Sequence, residues 1–290
     1  MTEPAETERP AGTLYIVGTP IGNLSDLSPR AAEVLGSVDA VICEDTRRTG
    51  RLLAHIGSSR AGSQRAALLV ANEHTEVPRI DEIIERLERG ERMALVTDAG
   101  MPTISDPGRH VVAAVVERGL AIEVVPGPTA VSAALALSGL PVDRFVFEGF
   151  LPRKGRERTE RLADIGRETR AIVLYEAPHR LRKTLTDLAA TCGAERQVAV
   201  AREMTKLYEE VVRTTLAGAA THFDENEPRG EFVIVLAGAA VERAIPSDDE
   251  LIVSLRRSID TGLSKRDAVT EVVRETGEPK RRVYELSNGI

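Results

Sequence analysis

The sequence predicts two α/β domains followed by a small helical unit. Short apolar, β-branched runs alternate with amphipathic helical segments along the first half. Aromatic residues make up only 3% of the chain and Trp is absent. Val, Leu, Ile and Ala must therefore build the core, as they do in strands buried on both faces. A length of 290 residues allows more than one domain. The expected organisation is a disordered tail at 1–12, an N-terminal domain at 13–126, a C-terminal α/β domain at 127–240 and a helical unit at 246–290.

In order, Thr13 to Val17 reads as a strand that runs into the turn-rich loop Gly18-Thr19-Pro20-Ile21-Gly22-Asn23. Ser28-Pro29 then supplies an N-cap and a proline suited to a first helical position. Further strands are expected at Ala40 to Cys43, Ala67 to Val70, Met93 to Val96 and Ile122 to Val125. Helical periodicity covers Arg47 to Ile56 and Val77 to Glu88, and another helix is expected from Asp106-Pro107 to about Arg118 with Asp106 as its cap. This alternation implies a mainly parallel sheet.

The character changes after Pro126-Gly127-Pro128. A small-residue helix is expected at Val131 to Leu137 and a strand at Arg144 to Glu148, followed by a basic helix within 153–170. Strands follow at Ala171 to Tyr175, Gln197 to Ala201 and Phe232 to Leu236, with a weaker one at Tyr208 to Thr214 and a helix at Arg180 to Ala190. Three short helices, Asp248 to Ile259, Lys265 to Thr276 and Lys280 to Ser287, read either as a helix-turn-helix module or as plain packing.

Composition narrows the function. No segment approaches the ~18–20 apolar residues of a membrane span, and the polar, acidic start lacks the apolar core of a secretory signal. Cys43 and Cys192 lie in or beside apolar runs and read as buried thiols, and the five His residues are scattered, so no metal is expected and the cytoplasm is the expected compartment. The net charge of −7 does not suit an RNA-binding protein, but it is uneven: 153–170 holds seven basic against four acidic side chains, and 256–282 eight against five. Such patches can attract phosphate, or can be solvated helix faces.

Three loops carry the chemistry, each following a strand and opening a helix. The loop at Gly18 is neither a dinucleotide fingerprint nor a P-loop. The loop from Val96 to Gly108 packs two Asp, two Pro and two Gly into one connection, with Asp98 where ligands meet α/β sheets, at a strand's carboxyl end. Pro126-Gly127-Pro128-Thr129-Ala130 is the third, with small residues over which a flat nucleoside could approach the backbone.

These loops, together with Glu44-Asp45-Thr46-Arg47, Asn72-Glu73-His74, Glu148 to Lys154, Tyr175-Glu176-Ala177-Pro178-His179-Arg180 and Ala201-Arg202-Glu203-Met204-Thr205-Lys206, resemble in order the RsmI family. Its members are ribosomal RNA small subunit 2′-O-methyltransferases of the tetrapyrrole methylase superfamily. The resemblance spans about 13–288. It implies the two-domain tetrapyrrole-methylase (class III methyltransferase) fold, with the C-terminal helices as an extension. It also implies S-adenosylmethionine as cofactor, a cytidine ribose in the decoding region of 16S rRNA in the 30S subunit as substrate, and a homodimer. Carried over by motif, the cofactor contacts are Pro20, Asp98, Met101, Pro102, Ile104, Thr129, Ala130, Tyr175, Glu176 and Met204.

Glu203 and Lys206 are the candidate catalytic pair, with Asp45, Arg47 and Glu176 as further candidates; an ion pair of purely structural role is the other reading of Glu203 and Lys206. For RNA the candidates are Arg47, Arg153, Lys154, Arg156, Arg158 and Arg180. The rival functions are a methyltransferase of the same fold acting on a tetrapyrrole or a modified protein residue, and a ribosome-assembly factor without activity. The basic segments favour RNA, and the three elaborate loops favour an enzyme.

Overall fold

The computed structural model describes residues 12–57, 66–72, 75–240 and 246–290. The expected tail before Gly12, and Glu73-His74 of one motif, lie outside the described residues. Contacts divide the chain into one unit ending at Ala239 and a second from Ala240 to Ile290.

The first unit contains two five-stranded sheets. Strands β1 (Thr13–Val17), β2 (Ala40–Cys43), β3 (Ala67–Val70), β4 (Met93–Leu95) and β5 (Ala121–Val125) form a wholly parallel sheet in the order β3-β2-β4-β1-β5. The helices of this half are α1 (Pro29–Ser37), α2 (Thr46–His55), α3 (Glu76–Glu88) and α4 (Arg109–Glu117). Alternate strand residues serve opposite faces, as the two-residue period of a strand requires. Leu14, Ile42, Met93 and Leu95 pack with Ile83, Leu87, Val111 and Val115 of α3 and α4. On the other face Tyr15, Val17, Val41 and Ala94 pack with Val34, Leu35 and Leu52 of α1 and α2. The helix starts follow local chemistry: Ser28 Oγ accepts from Ala31 N at 3.1 Å, and the Asp45 carboxylate accepts from Arg47 N at 2.7 Å.

The second sheet is mixed, in the order β6-β7-β10-β8-β9, from β6 (Phe145–Phe150), β7 (Ala171–Glu176), β8 (Gln197–Arg202), β9 (Glu210–Thr215) and β10 (Phe232–Leu236). Only β6 and β7 pair in parallel. One face, with Ile172, Leu174, Val200 and Ile234, is covered by α6 (Arg156–Arg167), α7 (Pro178–Cys192) and α8 (Leu216–Glu225). The other, with Val173, Ala199 and Val235, meets Ala134 and Leu135 of α5 (Ala130–Ser138).

Two expectations need correction. Helix α4 starts at Arg109, and Asp106 does not cap it. Gly108, at φ 114°, occupies the cap position, and Glu76 of α3 accepts from the amides of His110 and Val111 at 2.6 and 3.0 Å. Helix α8 is absent from the sequence reading. Its signal is the apolar spacing of Leu216, Ala219 and Phe223, diluted by a run of Ala and Gly.

The second unit packs α9 (Asp248–Asp260), α10 (Lys265–Thr276) and α11 (Lys280–Ser287) around Leu251, Leu255, Val269, Val272 and Val283. Ser247 and Glu250 form a reciprocal capping box at its entry. Cys43 is buried and Cys192 partly so; neither is in a disulfide, and burial pushes both thiols up. No described helix is long and apolar enough to cross a membrane.

Candidate functional site

Parallel pairing puts the carboxyl ends of β4, β1 and β5 side by side, so the three loops leave one edge of the sheet together. They are tied there. Thr19 and Gly100 exchange backbone hydrogen bonds at 2.9 and 3.1 Å, and Thr19 Oγ1 donates to Thr97 O at 3.1 Å. A Cβ on Gly18 would stand 2.6 Å from Gly127 Cα, and one on Gly127 would stand 2.7 Å from Gly18 Cα. The first and third loops therefore touch backbone to backbone, which only this glycine pair permits.

A cavity of about 600 Å³ opens between these loops and the second sheet. Its lining includes Met101, Ile104, Thr129, Ala130, Tyr175 and Glu176, six of the ten expected cofactor contacts. Phe145, Phe147, Phe150 and Phe232 join them, four of the five Phe residues in the chain. Phe147 and Phe150 meet the Tyr175 ring edge-on at 5.0 and 5.6 Å. The chain's few aromatics thus gather where a flat ring could be held. The sequence reading did not single out these phenylalanines, although their spacing was its available signal. Glu176, however, is committed elsewhere. Its carboxylate accepts from Thr184 Oγ1 at 2.6 Å and from Ala177 N at 2.9 Å, and it pairs with Arg180 at 3.2 Å. Pro102 and Met204 are buried outside this lining, Met204 in the core beneath the second sheet.

A second cavity of about 470 Å³ adjoins the first, sharing Ile21, Ala99 and Glu231. It is more polar, and takes in Pro20, Asp98, Arg48, Arg51 and Lys206. Lys206 Nζ is clamped between Glu203 Oε1 at 2.9 Å and Glu231 Oε2 at 2.7 Å. Burial pulls Lys206 down, yet its two carboxylate partners outweigh that and leave it above its ordinary value. Burial likewise pushes Glu203 up, but Lys206 and the Glu231 amide together hold it below the usual range. A carboxyl so held is a weak base. The pair is a fixed cation with its counter-ion, and Asp45, at the start of α2, is spent on capping.

The non-glycine residues with left-handed φ among those described are Thr103, Ser105, Glu203 and Thr205, at 73°, 63°, 49° and 66°. They fall in the two turns that border the cavities. Strain of this kind persists where the surrounding structure holds a side chain in place. Ile104 and Lys206 are the side chains so presented.

Between the cavities stands an acidic wall. Asp106 lines the larger one, and Thr97 and Asp98 line the smaller. Thr97 Oγ1 donates to Glu44 Oε1 at 2.5 Å, and Asp98 pairs with Arg48 at 3.3 Å. Burial, then the charge of Glu44, pushes Asp106 up to about 7. The same two causes raise Asp98. Asp106 was assigned to a helix cap because a loop carboxylate before a helix ordinarily does that; only the fold reveals its buried neighbours.

The RNA candidates divide. Arg153, Lys154 and Arg156 are exposed at the start of α6, and Arg47 is exposed on α2. Arg158 is not available to phosphate. Its side chain is 7% exposed and bonds Asp187 at 2.8 Å, Thr184 at 3.1 Å and Pro152 O at 2.9 Å. Arg180 is mostly buried, joining Glu176 to Leu151 O. Among the described residues no group of three or more His, Cys, Asp or Glu could hold a metal.

Comparison with known proteins agrees with this geometry. The profile of the Tetrapyrrole (Corrin/Porphyrin) Methylases matches residues 13–220. The ribosomal RNA small subunit methyltransferase I of Synechocystis sp. is 46% identical over 277 residues, covering 95% of this chain and 97% of that protein. The protein of the same name from Escherichia coli O157:H7 is 41% identical over 251 residues, covering 86% of each. Among solved structures, the methyltransferase CobJ matches with a TM-score of 0.60 at 20% identity, over 79% of this chain and 95% of its own. The uroporphyrin-III C-methyl transferase of Thermus thermophilus, solved with S-adenyl homocysteine, matches at 0.55 and 17%, over 78% and 97%. These last two likenesses speak for the fold alone.

Proposed function

The chain belongs to the tetrapyrrole methylase family and, within it, to the ribosomal RNA small subunit methyltransferase I family, and from that membership we propose that it methylates the ribose 2′-hydroxyl of a cytidine in the decoding region of 16S rRNA. The enzyme is an S-adenosylmethionine-dependent methyltransferase. Its substrate is the assembled 30S subunit in the cytoplasm, and it works as a homodimer.

One observation carries the reading: an apolar, aromatic-walled cavity shares a wall with a polar one that holds Arg48, Arg51 and Lys206. The first suits the nucleoside and methionine parts of the cofactor, with Met101, Ile104, Thr129, Ala130 and Tyr175 against it. The second suits a ribose and its phosphates, with Asp98 and Pro20 in its lining next to the shared Ala99 and Ile21.

S-adenosylmethionine supplies the activated methyl group. What the chain adds is position and charge. Strained turns hold Ile104 and Lys206 in place, so little reorganisation is required at the moment of reaction, and orientation of two reactants can contribute on the order of 7 kcal/mol or more. Lys206 presents a fixed ammonium to the polar cavity, where it eases negative charge onto the attacking hydroxyl oxygen. Glu203 positions Lys206. Arg153, Lys154 and Arg156 lie on a face suited to phosphate contacts.

Labelled methyl transfer to 30S subunits, followed by nuclease digestion and nucleoside identification, tests this. A 2′-O-methylcytidine from subunits, with a much poorer yield from naked 16S rRNA, is expected. Label on a base, on another nucleoside or only on a non-RNA acceptor overturns it.

A further inference from the structure

Among the described residues, the charged side chains that line the larger, mostly apolar cavity are all acidic. Among its described lining residues none is Lys or Arg, while Asp106, Glu176 and Glu231 all contribute. Glu176 is matched by Arg180 at 3.2 Å and Glu231 by Lys206 at 2.7 Å. Asp106 sits instead among like charges. Glu44, after β2, and Asp98, after β4, are the charges that act on it, with Glu44 held by the Thr97 hydroxyl at 2.5 Å. Asp45 and Arg48 of the α2 turn act on Asp98, and Arg48 is engaged there at 3.3 Å. From β7 Tyr175 lines the same cavity, and burial, then the Asp106 charge, pushes its phenol up to about 12. No basic side chain of this set neutralises Asp106 directly.

Resting on the assignment of this cavity to S-adenosylmethionine, we propose that Asp106 is the residue by which it tells the sulfonium cofactor from the thioether left after methyl loss. The two ligands share nearly every atom and differ by one positive charge. An ionised Asp106 compensates that charge inside a largely apolar wall, where a charge interaction is stronger than in water. When the charge has gone, Asp106 is left beside Glu44 without a counter-charge, and below about 7 it takes up a proton. The wall then holds the thioether no more tightly than shape alone requires, which favours its release.

The sign follows from Asp106 standing at about 7 in the folded chain. A cation binds the ionised form preferentially, so cofactor affinity is full above that value and falls as pH drops through it. The thioether carries no extra charge and has no such dependence. Binding of the cofactor below neutrality must therefore expel a proton.

Calorimetry on the full chain, with S-adenosylmethionine and S-adenosylhomocysteine at pH 5.5 and 7.5, reads this directly. Two buffers of different ionisation heat report the protons released. Cofactor affinity is expected to rise roughly tenfold across that interval, and thioether affinity by less than about twofold. Asp106→Asn should give both ligands the same flat profile. Should that variant fail to fold, Glu44→Gln provides the second reading, because removing the charged neighbour moves the midpoint of the cofactor profile to lower pH. Parallel profiles for the two ligands in the native protein overturn the role of Asp106 while leaving the cavity assignment intact. So does an Asp106→Asn protein that keeps the native dependence, or an unmoved midpoint in Glu44→Gln. Failure of both ligands to bind at either pH overturns the cavity assignment, and the proposal with it.

Discussion

The Glu76 carboxylate accepts the amide of Val111 at 3.0 Å, joining the first turn of α3 to the first turn of α4. The same oxygen takes the amide of His110 at 2.6 Å, and the residue is 4% exposed. A buried carboxylate on a helix N-terminus is favoured by both hydrogen bonding and the helix dipole. It satisfies α4 from outside and leaves Asp106 free for the cavity wall. Glu76→Ala should lower stability by about 2–3 kcal/mol, read as a shift in the urea midpoint. An unchanged midpoint would mean that water replaces the carboxylate without loss.

Gly127→Ala should be damaging although it adds one methyl group. The new carbon would stand 2.7 Å from Gly18 Cα, with backbone on both sides. The two loops must part, at a cost of about 1–3 kcal/mol, and the cofactor cavity should deform with them. Melting temperature and S-adenosylmethionine affinity are both expected to fall; native values for both would show that the loops part freely.

Four neighbouring basic residues should behave as two groups. Replacing Arg153, Lys154 and Arg156 with Ala should weaken binding to 30S subunits and flatten its salt dependence, with cofactor affinity intact. Arg158→Ala should instead cost about 1.5–3 kcal/mol of stability, because it removes buried charged hydrogen bonds to Asp187, Thr184 and Pro152 O, while Lys183 still pairs with Asp187 at 3.0 Å. Equal effects of Arg153→Ala and Arg158→Ala on melting would contradict this division.

Lys206→Met should keep cofactor affinity and lose turnover by roughly two to three orders of magnitude, the range seen when an electrostatic stabiliser of about 2.7–4 kcal/mol is removed. Glu203→Gln should be milder, since Glu231 still holds the ammonium at 2.7 Å. Single-turnover methyl transfer separates the two effects. A rise in KM with unchanged kcat would reduce Lys206 to a binding residue.

Asp98→Ala should weaken S-adenosylmethionine binding by about 1.5–3 kcal/mol without altering the fold. Its Oδ1 is buried with no hydrogen-bond partner in the protein, so an acceptor there is poised for a ligand donor. Affinity and melting both at native values would make Asp98 a turn residue only.

Much of the architecture was legible in the chain because it is set locally. Two-residue alternation in Leu14, Tyr15, Ile16 and Val17, and three- and four-residue spacing in Ile80, Ile83, Ile84 and Leu87, encode strand and helix within a few residues. Ser28-Pro29 and Ser247 with Glu250 mark helix starts in the same way. The motifs named the family and pointed to three loops, since turn residues and small side chains are visible one position at a time.

The tertiary structure decided what those loops do together. Placing β4, β1 and β5 side by side is a matter of sheet order, which no local pattern carries, and it alone brings Asp98, Gly18 and Thr129 to one edge. It also decided which charges are free. Arg158 and Arg156 look alike in a basic run, yet one is itself buried against Asp187 and the other faces water. Glu76 takes the capping role expected of Asp106 because a carboxylate's task depends on burial and on its neighbours in space, and the His110 amide lies 34 positions from Glu76. Sequence specifies such neighbours only through the completed fold.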